Sequence, residues 1–199
     1  MIVSVEAKGT APVRKLRADG LRNRERLLGA AKAGFAETGP EVSLDEIARR
    51  AGVGIGTLYR HFPTRDAMVE AVYRREVQQL ADGAPRLLAE LPPAQALHAW
   101  LKLFVDYVAT KKVIASALGA IVGGASELYA ASGVQITDAV TLLVSRAVAS
   151  GEIRPDVEAG DVFRALVGFT YGSGAPDWQP SALRLIDILM DGLKPPKSA

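Results

Sequence analysis

Apolar residues recur every three or four positions along most of the chain, which is the period of an amphipathic helix. No segment shows the sustained alternation of apolar and polar residues that is typical of a half-buried strand. The pattern predicts helices near 22–38, 43–51, 55–61, 64–82, 94–110, 111–122, 126–150, 158–172 and 180–193, with a short additional helix near 85–91. Proline and glycine separate these segments, and residues 172–180 form a loop. We therefore expect an all-α fold.

Residues 43–62 predict two short helices joined by a tight turn. Ser43 and Glu46 have the spacing of a capping box: the hydroxyl accepts a hydrogen bond from the Glu46 N–H, and the carboxylate reaches back to the Ser43 N–H. Ile47 and Ala48 lie on one apolar stripe. Gly52 follows where a left-handed C-cap is needed, since a residue without Cβ adopts positive φ at little cost. This pattern is typical of a DNA-reading helix-turn-helix.

The second helix of this segment has an outer face suited to the major groove. A groove-binding helix needs small residues for close approach, hydroxyls for phosphates and side chains that reach base edges. Arg60 has two possible roles, a bidentate pair with guanine or a phosphate contact, and the sequence leaves both open. An ordinary helical hairpin with Tyr59, His61 and Phe62 as packing residues is the alternative. The face comprises Ile55, Gly56, Thr57, Tyr59, Arg60 and His61.

The run AGVGIGTLYRHF at 51–62 resembles the signature of the tetracycline-repressor (TetR) family of bacterial transcriptional regulators, roughly A-G-V-S-x-G-x-x-Y-x-H-F. The resemblance covers about residues 20–73, because Phe35 and Gly39 upstream and TRDAMVEAVY downstream also fit the family spacing. Gly54 replaces the usual serine, so the hydroxyl cap of the second helix is missing. We expect this loss to loosen the first turn by about a few tenths of a kcal/mol.

The resemblance implies roles for individual residues. Groove or base-edge contacts are implied for Ile55, Gly56, Thr57 and Tyr59. Phosphate contacts are implied for Ser43, Tyr59, His61 and Arg65. Arg60 occupies a variable position in the family, so its assignment to DNA rests on its chemistry alone.

The resemblance also implies the domain organisation. A flexible basic arm at 1–19 precedes a three-helix helix-turn-helix DNA-binding domain at 20–63. A helical ligand-binding and dimerisation domain follows at 64–199, with 64–82 as the connecting helix. In the arm, Arg14, Lys15 and Arg17 either enter the minor groove or follow phosphates, or they belong to a solvated tail.

Composition and charge agree with this organisation. The chain has 199 residues, 49% of them hydrophobic, which is enough for a substantial core. Residues 1–75 contain 14 Lys and Arg against 9 Asp and Glu, whereas residues 76–199 contain 10 against 13. A basic N-terminal part suits a protein that lays one end on DNA. No secretory signal and no uncharged apolar run of about 18 residues is found, so a cytoplasmic location without a membrane span is expected.

Two sets of apolar residues in the C-terminal part each have two interpretations. One set lines a ligand pocket or belongs to the core, and the other forms a dimer interface or belongs to the core. For the effector we expect a small apolar or aromatic molecule, since few charges fall within these sets, with His98 as a further polar contact. The predicted lining is Trp100, Phe104, Tyr107, Leu118, Val122, Tyr129 and Tyr171. The family's dimer pairs through its last two long helices, and the residues predicted to face the mate are Val162, Ala165, Leu166, Phe169, Leu183, Ile186, Leu189 and Met190.

The predicted function is a sequence-specific, dimeric transcriptional regulator, most simply a repressor that a small-molecule ligand releases from a palindromic operator in double-stranded DNA. An activator, a non-specific architectural DNA binder and an enzyme that uses the helical cavity are the alternatives. The chain has no cysteine and only two histidines, and it lacks a phosphate-binding glycine loop and a nucleophile elbow. We therefore predict no catalytic residues, no metal site and no cofactor.

Overall fold

The computed structural model describes residues 11–119, 125–172 and 177–196, without the side chains of 11–17 and 125–127. Every regular element in these ranges is an α-helix, so the all-α prediction is confirmed. Eight helices lie in the described part of the chain: α1 (Ala11–Thr38), α2 (Leu44–Ala51), α3 (Ile55–His61), α4 (Arg65–Glu90), α5 (Pro93–Gly119), α6 (Ala125–Ala149), α7 (Ala159–Tyr171) and α8 (Trp178–Gly192).

The helices form two compact units, residues 1–68 and residues 69–199. The division falls inside α4, between Met68 and Val69, so this one helix contributes to both units.

The first unit packs α1, α2 and α3 around a small apolar core. Leu27, Ala31 and Phe35 are fully or almost fully buried on one face of α1. Ile47 of α2 and Leu58 of α3 are each 0% exposed. Full burial of a side chain of this size contributes roughly 1.5–3 kcal/mol. Packing against α1 therefore holds α2 and α3, since helices of eight and seven residues are marginal on their own in water.

The first helix begins earlier than the sequence predicts. α1 starts at Ala11, whereas the apolar period predicted a start near 22 after a flexible arm. Pro12 lies in the first turn, where its missing N–H costs no intrahelical bond, and Gly20 does not interrupt the helix. The arm residues Arg14, Lys15 and Arg17 therefore lie on helical backbone.

The second unit is organised around α5. Eleven of its residues are buried, and it packs against α6, α7 and α8. The indole N–H of Trp100 donates a hydrogen bond of 2.7 Å to the Leu80 carbonyl of α4. A Cβ at Gly83 would lie 3.4 Å from Leu103 Cδ1, so glycine lets these two helices approach closely.

Two predicted helix boundaries are wrong. α4 runs without interruption from Arg65 to Glu90, through Gly83 and Pro85, whereas the sequence predicts separate helices near 64–82 and 85–91. Proline removes one backbone donor, but burial of Ala84 and Leu87 holds the helix against the core. α5 likewise continues through residues 110 and 111, because Ile114 and Leu118 extend its buried stripe.

One stretch of α6 is apolar enough to cross a membrane on length and composition alone. It is Leu128–Ala149, with a mean hydropathy of 1.2. Core helices of globular proteins meet the same criterion, and α6 packs against α5 and α7.

Candidate functional site

The turn between α2 and α3 adopts the predicted glycine-capped geometry. Gly52 has φ 64° and ψ 39°, in the left-handed region. Its N–H donates to the Arg49 carbonyl at 3.1 Å, and the N–H of Val53 donates to the Ala48 carbonyl at 3.0 Å. This pair of bonds is the Schellman arrangement, which satisfies the last carbonyls of α2. The direction in which α3 leaves α2 is therefore set by backbone hydrogen bonds.

Arg26 holds the same turn from α1, a role that the sequence analysis missed. Its Nη2 donates to the carbonyls of Ala51 at 2.5 Å and Gly52 at 2.9 Å. A Cβ at Gly52 would lie 2.8 Å from this nitrogen. No pattern in the sequence pairs these residues, because they are 25 and 26 positions apart.

The predicted capping box of α2 forms only in part. Ser43 accepts the Glu46 N–H at 3.1 Å, as predicted. The Glu46 carboxylate instead accepts bonds from Arg49 at 2.7 and 2.8 Å and from Arg50 at 2.7 Å. Two charged donors outcompete one backbone N–H for a carboxylate. Hydrogen bonds from Arg49 and then Arg50 lower the pKa of Glu46 from 4.5 to about 2.

The outer face of α3 lies at the protein surface. Ile55 is 37% exposed, Tyr59 is 48% exposed and Arg60 is exposed. Thr57 and His61 are half-buried. The space beside Gly56 is open, since a Cβ there would meet nothing within 4 Å. The predicted DNA-contacting residues of α3 thus share one accessible helix, and their contacts with DNA stay a prediction.

The first turn of α3 has the missing cap that Gly54 predicts. Gly54 is the N-cap residue with φ −70° and ψ 148°, and no side chain caps the helix. Its carbonyl accepts the N–H of Thr57 at 2.9 Å and of Leu58 at 3.2 Å. No side chain therefore competes for the free N–H groups at this end, where the helix dipole is positive.

Arg65 performs a structural task besides its predicted phosphate contact. Its guanidinium donates to the carbonyls of Pro40 at 2.6 Å and Val42 at 2.7 Å, in the loop before α2. Its charge therefore lies beside Ser43, the other residue predicted to contact phosphate at this end of α2.

Arg24 covers the ring of buried Phe62 at 5.1 Å, which assigns Phe62 to packing.

The second unit contains an aromatic cluster formed by side chains of α4, α5, α6 and α7. The hydroxyls of Tyr73 and Tyr107 are 3.2 Å apart, and the Tyr73 ring meets the Tyr129 ring edge-on at 5.6 Å. The ring of Phe104 packs against those of Tyr107 and Phe163 at 5.6 and 6.0 Å. Tyr73 was not predicted, because α4 was assigned to connection alone.

Lys111 extends this cluster towards the surface. It lies on the same stripe of α5 as Phe104 and Tyr107, at helical spacings of seven and four. Its Nζ is 4.4 Å from the centroid of the Tyr129 ring and 5.9 Å from that of Tyr171. A lysine within an otherwise buried stripe was the available sequence signal, since lysine is rarely buried without a partner.

The predicted effector residues do not all come together. Phe104, Tyr107 and Tyr129 belong to the cluster, and Tyr171 reaches Lys111. Trp100 packs its ring against that of Phe104 at 6.1 Å, at the core side of the cluster, and Leu118 is 0% exposed in the core. Val122 lies outside the described residues.

His98 faces a different place, a surface cleft of about 490 Å³ beside α8. Its Nε2 is 2.6 Å from Asp187 Oδ1, and Lys102 lies 3.4 Å from the same oxygen. The imidazole is therefore engaged with α8 and is absent from the aromatic cluster.

The predicted dimer residues divide between the core and the surface. Val162, Leu166 and Ile186 are at most 2% exposed within one protomer, so they are unavailable to a mate. The rest are half-buried: Ala165, Phe169, Leu183, Leu189 and Met190. Ile188, which was not predicted, is 66% exposed on α8. Helical periodicity identified apolar faces of both helices, but it did not identify which face turns inward.

Comparisons with known proteins cover both units. Residues 27–72 match the family described as bacterial regulatory proteins, tetR family, and residues 92–195 match the C-terminal domain described as transcriptional regulator SbtR-like. The crystal structure of the TetR transcriptional regulator SCO0520 from Streptomyces coelicolor is 49% identical, with a TM-score of 0.78, over 86% of this chain and 98% of that one.

Two curated regulators are also similar to the chain. The HTH-type transcriptional regulator UidR of Escherichia coli (strain K12) is 27% identical over 75% of this chain and 78% of its own length. The HTH-type transcriptional regulator SAB2452 of Staphylococcus aureus (strain bovine RF122 / ET3-1) is 38% identical over 63 residues, which is 31% of this chain. That second alignment spans 34% of the staphylococcal protein.

Proposed function

The chain belongs to the tetR family of DNA-binding transcriptional regulators, and from this premise we propose that it is a homodimeric repressor released from a palindromic operator by a small aromatic or apolar effector. The observation that carries the proposal is the exposed outer face of α3 beside a turn with two independent sets of hydrogen bonds. A rigid turn presents α3 in one orientation, which sequence recognition requires.

We propose two kinds of DNA contact for the helix-turn-helix, one with the major groove and one with the phosphates. Ile55, Gly56, Thr57 and Tyr59 enter the major groove, where the open space at Gly56 permits close approach. Ser43, His61 and Arg65 lie along the phosphates. Arg60 reads a base, because it is exposed and no intramolecular hydrogen bond or ion pair of its side chain is found among the described residues.

A dimer follows from the shortness of the reading element. α3 has seven residues, and one such helix contacts too few base pairs to select an operator. Two-fold pairing places two copies on successive major grooves. We propose that α7 and α8 pair through Ala165, Phe169 and Leu189 together with exposed Ile188.

Effector release is proposed to act through α4. Arg65 at the start of this helix binds the loop before α2, and Tyr73, eight residues later, is part of the aromatic cluster. A ligand that binds the cluster better in one arrangement of α4 shifts the population towards that arrangement. If the two copies of α3 then lose the spacing of successive grooves, operator affinity falls.

Selection of bound sequences from random DNA, followed by a small-molecule screen for release of the selected site, tests this function. We expect a palindrome and at least one effector. Failure to enrich any sequence would favour a non-specific architectural role, and enrichment without release by any compound would refute effector control.

The base-reading role of Arg60 is tested on the selected operator and on random DNA. Arg60→Ala should cost about 1–3 kcal/mol on the operator and less on random DNA. Arg146→Ala, which removes an exposed arginine from α6, is the matched control and should change neither affinity. Equal weakening of both affinities by Arg60→Ala would assign this residue to phosphate.

A further inference from the structure

Lys111 is a half-buried cation beside the rings of Tyr129 and Tyr171, and no carboxylate among the described residues pairs with it. Burial lowers the pKa of its ammonium group, as expected for a charge that leaves water without gaining an ion pair. Cation–π contacts contribute only about 0.5–2 kcal/mol. An anion bound at Lys111 would supply the missing counter-charge.

The neighbouring cation, Lys112, is already committed to other groups. Its Nζ donates to the Thr170 carbonyl at 2.7 Å and lies 3.8 Å from the centroid of the Trp178 ring. The cluster therefore offers one available positive charge, which matches a monoanion better than a phosphate dianion.

Phenolic hydroxyls of the aromatic cluster supply hydrogen-bond donors, and one of them belongs to Tyr107, one turn before Lys111 on α5. The hydroxyls of Tyr73 and Tyr107 share one hydrogen bond, so one O–H proton of this buried pair remains for a further acceptor. Tyr171 is 46% exposed, and its partial burial, with smaller contributions from Tyr73 and Tyr129, raises its pKa to about 12. Burial also raises the pKa of Tyr129. These phenols remain neutral at physiological pH and act as donors towards an anion.

We infer that the effector is a small aromatic carboxylate whose charge pairs with Lys111, whose oxygens accept hydrogen bonds from the nearby tyrosine hydroxyls, and whose ring packs on Tyr129 and Tyr171. This inference rests on the effector function proposed above. It narrows the predicted apolar or aromatic effector to one that carries a single negative charge, because the structure brings a lysine into the aromatic stripe of α5.

Matched pairs of aromatic acids and their neutral amides test the charge requirement. Calorimetry without DNA measures binding to the full chain. The pairs are phenylacetate and phenylacetamide, 2-naphthoate and 2-naphthamide, and indole-3-acetate and indole-3-acetamide. We expect at least one acid to bind about tenfold or more tightly than its amide. A tenfold ratio of dissociation constants corresponds to an ion-pair contribution of about 1.4 kcal/mol. Amides that match their acids throughout, or no binding by any acid, would overturn the inference.

Two substitutions on α5 locate the charge. Lys111→Met keeps the aliphatic length and should reduce the acid-to-amide ratio to about one. Lys102→Met is the control, because Lys102 pairs with Asp187 in the separate cleft and its loss should leave the ratio unchanged. A ratio that survives Lys111→Met would place the anion elsewhere. If Lys111→Met does not fold, Lys111→Gln and the wild-type ratio still decide the matter.

Operator release is measured separately on the same compounds. An acid that binds through Lys111 but leaves the protein on DNA would support the anion site and refute release as its consequence. Release by neutral compounds alone would support the regulatory function and overturn the anionic class.

Discussion

At the scale of single residues, the helix-turn-helix depends on the absence of a side chain at Gly52. This position has positive φ, which an L side chain adopts at a cost of about 1–2 kcal/mol. It also lies under the Arg26 guanidinium, which binds the carbonyls of Ala51 and Gly52. The same atoms that orient α3 therefore exclude a Cβ.

Gly52→Ala should lower the free energy of unfolding by about 1–2 kcal/mol, because the added Cβ strains the backbone and displaces Arg26. Chemical denaturation measures the loss. Gly29→Ala is the control: this helical glycine has open space at its Cβ position, so the stability should rise by up to about 1 kcal/mol. Equal stability of Gly52→Ala and the wild type would show that the turn tolerates a side chain.

Glu46 makes the stability of α2 dependent on pH. Its pKa is lowered from 4.5 to about 2 in the folded chain, so the ionised carboxylate stabilises the fold above pH 4.5. This contribution is lost as the pH falls through about 2. Glu46→Gln should therefore be less stable than the wild type above pH 4.5, and the difference should vanish near pH 2 in thermal denaturation.

Asp45→Asn is the control for Glu46→Gln, since it removes an exposed carboxylate from the same turn of α2. The stability difference between Asp45→Asn and the wild type should not disappear between pH 4.5 and pH 2, as the Glu46→Gln difference does. A Glu46→Gln difference that is constant over this interval would contradict the assigned ion pairs with Arg49 and Arg50.

Among the helices, α3 has a buried anchor in its middle and an N-terminal turn that no side chain caps. Leu58 is fully buried and anchors the middle of the helix, whereas the N-terminal turn depends on bonds to the Gly54 carbonyl. Without a side-chain cap, we expect the first turn to become more ordered when a DNA phosphate occupies its N–H groups.

Gly54→Ser should stabilise the first turn of α3 by about a few tenths of a kcal/mol, because the hydroxyl accepts a free backbone N–H. Amide hydrogen exchange without DNA should slow at Gly56 and Thr57 and remain unchanged in α2. Exchange that is already as slow in the wild type as in the variant would mean that the uncapped turn is rigid.

The central helix α5 combines core packing with the candidate effector site. Leu97, Trp100 and Leu101 are each 0% exposed near its beginning. Two turns later, the same helix carries Tyr107 and Lys111, whose contacts are polar as well as aromatic. An apolar helix anchors these polar groups, so a ligand there meets a site with little freedom to rearrange.

In the whole molecule, a single protomer leaves a large apolar side chain of α8 at its surface. Ile188 is 66% exposed beside half-buried Leu189. A second copy of the chain would bury this face by two-fold pairing.

Ile188→Glu should raise the dissociation constant of the dimer roughly a hundredfold, about 3 kcal/mol, because a carboxylate would be buried without a partner. Sedimentation should then show 21.1 kDa monomers where the wild type sediments at twice that mass. Val134→Glu on α6 is the control, since Val134 is equally apolar and 62% exposed. A wild-type monomer, or dissociation by Val134→Glu alone, would contradict pairing through α8.

Features that depend on near neighbours in the chain were predictable from the sequence. The helical period predicted an all-α fold, the Ser43–Glu46 spacing predicted the N-cap of α2, and glycine at position 52 predicted the turn. The run at 51–62 indicated the family. These features follow from residues within about one helical turn of each other, where backbone geometry decides which atoms meet. Local signals failed at Pro85 and at residues 110 and 111, where burial kept helices continuous.

Contacts between distant residues became known from the packing of the helices. Arg26 and Gly52 are 26 positions apart, Tyr73 and Tyr107 are 34 apart, and no local pattern joins either pair. The structure also assigned Val162, Leu166 and Ile186 to the core and left Ile188 exposed. The physical reason is that periodicity shows which residues of a helix share a face, whereas packing against other helices decides whether that face is buried in the protomer.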